Sequence, residues 1–111
     1  MLTIDVLNNI KLTRGDTLTL HVELIKDGAP YVPEEGDVIR FALSKAYLTQ
    51  SGYELLKEVE IPGDTLTFTL SATDTKTLNY GAYNYDIQIT HEDGAVDTFI
   101  SAKLVITEEV E

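Results

Sequence analysis

The run from Thr17 to Ile25 alternates without a slip. Leu18, Leu20, Val22 and Leu24 fall on one side of an extended chain, and Thr17, Thr19, His21 and Glu23 on the other. A helix would scatter those apolar side chains around its circumference. A β-strand gathers them on one face, because successive side chains point to opposite sides. The β-branched threonines on the other face suit a half-solvated strand. A chain that contains such a segment must supply a second layer to cover its apolar face.

The same pattern recurs along the sequence. Ile10 and Leu12 share a face in the short segment Asn9–Thr13. In Val38–Ser44, Ile39, Phe41 and Leu43 oppose Arg40 and Ala42. In Thr65–Leu70, Leu66, Phe68 and Leu70 oppose three threonines. In Ala82–Thr90, Tyr83, Tyr85, Ile87 and Ile89 oppose Asn84, Asp86 and Gln88. In Val96–Thr107, Val96, Thr98, Ile100, Ala102, Leu104 and Ile106 stay in phase. Phe99 breaks that last phase, which predicts a bulge or an exposed aromatic. Leu55–Ile61 carries charge on both sides, as edge strands do, and its inner face is not readable. Lys45–Tyr53 fits either a loop that carries Tyr47 and Leu48 inward or a short helical turn.

Turn chemistry separates these segments: Arg14-Gly15-Asp16, Asp27-Gly28-Ala29-Pro30, Pro62-Gly63-Asp64 and His91-Glu92-Asp93-Gly94. Ser71, with Asp74 three residues on, predicts a capped helical turn over 71–78. No amphipathic pattern long enough for a packed helix occurs. Six or seven short strands punctuated by turns point to an all-β, antiparallel sandwich. Residues 1–8 read as an N-terminal lead-in, 9–107 as the single domain and 108–111 as an acidic C-terminal tail. With 111 residues, one core is all the chain can build.

Nineteen acidic residues against eight basic ones give a net charge of −11. Such a field repels phosphate backbones and anionic lipid, so neither nucleic acid nor a membrane is an expected partner. There is no cysteine, which removes disulfides, thiolate nucleophiles and Cys-ligated zinc. Met1–Asp5 lacks the basic start of a secretory leader, and no apolar run approaches the length of a membrane span. A soluble chain made in the cytoplasm is expected.

Residues suited to catalysis are sparse. His21 falls on the wet face of a strand and His91 in a hairpin loop, and no Gly-x-Ser-x-Gly elbow accompanies them. The carboxylates of Glu34-Glu35-Asp37, Glu92-Asp93 and Asp97 do not follow the alternate spacing of a calcium loop and read as solvated loops. Arg14-Gly15-Asp16 spells an adhesion tripeptide, but turn chemistry accounts for it. No catalytic, cofactor or metal residue is expected. Tyr31, Tyr47, Tyr53, Tyr80 and Phe99 are candidates for an aromatic surface, facing either a protein interface or a glycan.

The most specific local feature is Leu78-Asn79-Tyr80-Gly81-Ala82-Tyr83-Asn84-Tyr85. Immunoglobulin-like domains turn a corner before their second-to-last strand, and a tyrosine there bonds back to the upstream backbone. Tyr83 occupies that place, with Leu78 and Gly81 shaping the corner. Tyr85 takes the inward position that antibody domains give to a cysteine. Together with Leu12-Thr13-Arg14-Gly15-Asp16-Thr17, Asp37-Val38-Ile39-Arg40-Phe41, Tyr85-Asp86-Ile87 and Asp93-Gly94, this pattern resembles the small immunoglobulin-like domains of phage and prophage structural proteins. It is similar to the N-terminal domains of phage baseplate upper proteins. The resemblance covers about residues 10–107 and implies an immunoglobulin-like sandwich of about seven strands. It also implies a non-enzymatic assembly role in a tail, baseplate or head accessory. The expected partners are other protein subunits, with a homo-oligomer among the options, and the expected site of synthesis is the bacterial cytoplasm before incorporation into a virion. The competing reading is a carbohydrate-binding or adhesin-type module of the same fold.

Overall fold

The computed structural model describes residues 2–4, 8–49 and 52–108, with the side chains of 2–4, 47–49 and 53 outside the description. In chain order the elements are β1 (Leu2–Ile4), β2 (Ile10–Thr13), β3 (Leu18–His21), β4 (Ile25–Lys26), β5 (Ala29–Pro30), β6 (Val38–Thr49), β7 (Gly52–Ile61), β8 (Thr67–Leu70), α1 (Ala72–Lys76), β9 (Gly81–Thr90) and β10 (Val96–Thr107). The protein is all-β apart from that one helical turn. Six strands form a sheet in the order β1-β2-β10-β9-β6-β7; β3 pairs with β8, and β4 with β5.

The alternation read from the sequence decides what is buried. On β9, Tyr83, Tyr85, Ile87 and Ile89 are buried while their neighbours are not. Ile39, Phe41 and Leu43 of β6, Leu104 and Ile106 of β10, and Ile10 and Leu12 of β2 complete the inner face of the large sheet. Leu18 of β3 and Phe68 and Leu70 of β8 belong to the same core. Phe41 sits at its centre, fully buried, 4.7 Å from Phe68 and 5.5 Å from Tyr85 between ring centroids. These offset ring contacts join the pair β3–β8 to the larger sheet.

Several expectations are revised. The sheet is not wholly antiparallel: β2 runs parallel to β10, with Ile10 opposite Leu104 and Leu12 opposite Ile106. The two strands lie at opposite ends of the chain, so no hairpin dictates their direction. Part of the presumed lead-in is strand, since Leu2–Ile4 pairs antiparallel with Ile10–Leu12. The long alternating run is paired with β8 over Leu18–His21. Val22 N still donates to Leu66 O, and Val22 and Leu24 stay buried. Leu66, at φ 52°, turns the partner strand away there. Lys45–Tyr53 is neither an inward loop nor a helical turn; its described residues are strand, the arms of the β6–β7 hairpin.

Register shifts, two in the β6–β7 ladder and one in the β9–β10 ladder, account for the segments the sequence left ambiguous. In the β6–β7 ladder Leu43 faces Lys57 but Ser44 faces Leu55, so Leu56 is the extra residue. The phase flips there: Leu55 is 53% exposed although Ile61, in nominal phase with it, is buried. In the β9–β10 ladder Thr98 faces Gln88 and Ile100 faces Ile87, which leaves Phe99 as the extra residue. Helix α1 begins as its sequence dictates. Ser71 accepts from Asp74 N, and the Asp74 carboxylate accepts from Ser71 N, a reciprocal capping box.

Candidate functional site

Three places on this frame gather the side chains that the sequence singled out. The first is the start of β9. Tyr83 Oη donates to Asn79 O at 2.8 Å, and Leu78 packs half-buried against the core. Gly81 takes φ 129°, a conformation open to glycine and strained for any other residue, and so lets the chain swing from the helical turn into the strand. Nearby, Thr75 is completely buried and its hydroxyl donates to Asp16 O at 2.8 Å. Arg14 forks onto Lys76 O through Nε (3.0 Å) and Nη2 (2.8 Å) and lies over the Tyr80 ring. The Arg14-Gly15-Asp16 turn is thus a joint that holds α1 to the β2–β3 connection. Tyr85 Oη donates to Asn8 O.

The second place is a groove of about 390 Å³. It is bordered by Leu20 and Val22 on one side, by Ile10 and Ile87 beneath, and by Ile25, Phe99 and Ile100 beyond. It opens beside β3, whose ladder among the described residues is with β8. Its floor is closed, with Ile10 and Ile87 buried, while Leu20, Phe99 and Ile100 are half-buried. Ile25 is 60% exposed at the rim.

The third place lies at the far end of β9, in a shallow depression lined by Lys26, Tyr31, Glu34, Glu35, Asp37, His91, Glu92 and Asp93. His91 follows β9, Asp97 sits on β10 and Asp37 precedes β6. His91 Nδ1 is 2.8 Å from Asp37 Oδ1, and Nε2 is 2.7 Å from Asp97 Oδ2. Tyr31 Oη donates to Asp37 Oδ2 at 2.6 Å, Glu34 N donates to the same oxygen at 2.9 Å, and Lys26 Nζ pairs with Asp97 at 3.2 Å. Tyr31 also packs on Phe99, with centroids 5.3 Å apart. A tight Glu34–Asp37 turn brings the loop close, with Gly36 at φ 91° against Glu92.

The electrostatics follow from these bonds. The Tyr31 hydroxyl and the Glu34 amide hold the Asp37 carboxyl down to about 2, with His91 adding to the effect. Donation to that carboxylate, together with burial, pushes the Tyr31 phenol up to about 12. Asp97 first and Asp37 second raise His91 above its ordinary value, and His91 and then Lys26 lower Asp97. Among the described residues no group of three or more His, Cys, Asp or Glu is placed to hold a metal ion. Here the imidazole lies between the carboxylates, with each nitrogen already engaged.

The expected aromatic surface is only partly assembled. Tyr31 and Phe99 come together, but both are half-buried and packed against the core. Tyr80 stands apart, 52% exposed under Arg14. The side chains of Tyr47 and Tyr53 lie outside the described residues. The sequence reading missed the His91 cluster by taking its members for solvated loop residues. Hairpin register could have placed Asp97 near His91, since His91 meets Ala95 across the Asp93-Gly94 turn and Asp97 lies two residues further on. Nothing local points to Asp37, which is 54 residues from His91. No protein-family model matches the sequence, and no curated protein matches it. Among the described residues no helix is long and apolar enough to cross a membrane.

Proposed function

We propose that this chain is a non-enzymatic assembly module, an immunoglobulin-like sandwich that docks on another protein subunit by adding that partner's strand to an open sheet edge. The specific form of the proposal is a phage or prophage structural protein of a tail, baseplate or head accessory, made in the bacterial cytoplasm. The fold part is supported by the Tyr83–Asn79 bond, the tyrosine-corner arrangement of such domains. It is also supported by strand order. The run β10-β9-β6-β7 follows the G-F-C-C′ order of variable-type sheets, and β3–β8 stands as the B–E pair. Phe41 on β6 packs against Tyr85, filling the space that a tryptophan and a disulfide occupy in antibody domains.

The observation that carries the docking role is the side of β3 away from β8, which among the described residues carries no ladder, next to a groove lined by apolar residues together with Asn8, His21 and Glu23. A strand added there would complete its main-chain ladder with β3 and place alternate side chains over Leu20, Ile25, Phe99 and Ile100. Main-chain bonds would supply affinity and the groove would supply specificity. The net charge of −11 works against a second copy of this chain and favours a partner strand carrying lysine or arginine.

Particles purified after prophage induction test the role directly. Mass spectrometry is expected to find the chain at a fixed ratio to the other structural subunits, and Leu20→Lys is expected to reduce its incorporation while the purified variant still melts cooperatively. Absence from such particles would overturn the virion role, and unchanged incorporation of the variant would overturn docking beside β3.

A further inference from the structure

The His91 cluster has a stoichiometry that only one protonation state satisfies. Both ring nitrogens face carboxylate oxygens at 2.8 and 2.7 Å. A carboxylate can only accept, and a neutral imidazole has one N–H donor and one lone pair. With a neutral ring, one contact becomes a lone pair against an anion. With an imidazolium, both become charge-assisted hydrogen bonds.

The geometry points to a proton-operated latch, in which imidazolium at His91 fastens the 31–37 loop to the β9–β10 hairpin and loss of that proton releases one of its two carboxylates. The loop half is self-contained: Asp37 is also held by the Tyr31 hydroxyl and the Glu34 amide, both in its own loop. On the hairpin side Asp97 keeps its pair with Lys26 of β4 when the ring is neutral. His91 is therefore the ionic link between the two halves, set beside the Val38–Thr90 ladder pair and the Tyr31–Phe99 ring contact, and the latch can open without breaking the bonds within either half.

The charges around it set the direction. Facing the ring are Asp37 before β6 and Asp97 on β10, and Tyr31 meets it edge-on at 6.3 Å between ring centroids. Glu34 and Glu35 of the loop and Glu92 and Asp93 of the hairpin line the same depression, where, among the described residues, Lys26 on β4 is the lysine or arginine beside the ring. Deprotonation leaves Asp37 and Asp97 facing each other in an acidic basin with Lys26 as the remaining counter-charge. Opening would swing Tyr31 off Phe99, and Phe99 borders the groove beside β3. The latch thus lies one aromatic contact from that groove, although its chemistry does not depend on what the groove binds.

Histidine-resolved NMR titration of the intact chain is the test. His91 is expected to carry protons on both nitrogens at pH 6.5 and to lose one at a midpoint above it. Amide signals of residues 31–37 and 91–97 should move with that midpoint, while those of 71–78 stay still. Asp97→Asn and Asp37→Asn should each shift the midpoint downward. A His91 midpoint at or below 6.5 in the unmodified chain would overturn the latch. So would a midpoint that neither substitution moves, or a titration that leaves the 31–37 amides unmoved.

Discussion

The two ends of β9 are fastened by different chemistry. At its start, donors aimed at backbone carbonyls close the fold: Tyr83 Oη on Asn79 O, the buried Thr75 hydroxyl on Asp16 O, and the Arg14 guanidinium on Lys76 O. At its end, about 30 Å away for a ten-residue strand, the fastening is ionic: His91 between Asp37 and Asp97, with Lys26 outside. The first end donates to backbone carbonyls, which are acceptors at every pH. The ionic end depends on which groups carry protons. The difference teaches that one strand can carry a fixed corner and a conditional one, and that the conditional corner lies where loops meet.

The largest expected effect is at the fixed corner. Tyr83→Ala should cost about 3–5 kcal/mol through the cavity it leaves, whereas Tyr83→Phe should cost about 1 kcal/mol through the lost hydrogen bond alone. Urea unfolding at two pH values checks both, and a Tyr83→Phe cost that varied with pH would break the contrast between the ends. At the conditional corner, Gly36→Ala should cost about 1–3 kcal/mol from its positive φ, because the new Cβ would also lie 2.8 Å from Glu92 Cβ. Thermal melting measures it. A neutral result would mean that the loop does not sit against the hairpin as described.

The pH profile sharpens the comparison next. Asp37 has its folded value held at about 2 against an ordinary 3.8. Its contribution is present above pH 3.8 and is lost as pH falls toward 2. His91 is raised above 6.5, so its contribution is complete below that pH and lost as pH rises through the folded value. Melting temperature should therefore form a plateau between about pH 4 and 6.5 and decline on both sides. In His91→Gln the alkaline decline should disappear and the acid one remain. The smallest effect belongs to the exposed pair Arg40–Glu58, 2.6 Å apart on the outer face. Arg40→Ala should change stability by at most about 0.5 kcal/mol, since solvent screens such pairs.

Legibility in the sequence tracked how local each feature is. The capping box of α1, the tyrosine of the corner, the inward faces of β6 and β9 and the Ile100–Ile106 part of β10 are written in residues a few positions apart, where period and turn chemistry act directly; ahead of the Phe99 bulge the β10 phase reverses, and Val96 and Thr98 are exposed. The β6–β7 hairpin was not legible, because the bulge at Leu56 reverses the pleat and makes Leu55 and Ile61 contradict each other. The parallel β2–β10 pair and the meeting of Asp37 with His91 join segments far apart in the chain, and no local spacing encodes them.

By itself the sequence determined that this chain is built from short half-buried strands with a single core, because alternation leaves an extended chain no other way to bury leucines and tyrosines. Only the tertiary structure decided which strands became neighbours, and that a loop histidine would find a carboxylate on each side. Those outcomes depend on how long-range packing closes the sheets, and hydrogen-bonded partners far apart in the chain leave no trace in the spacing of either one.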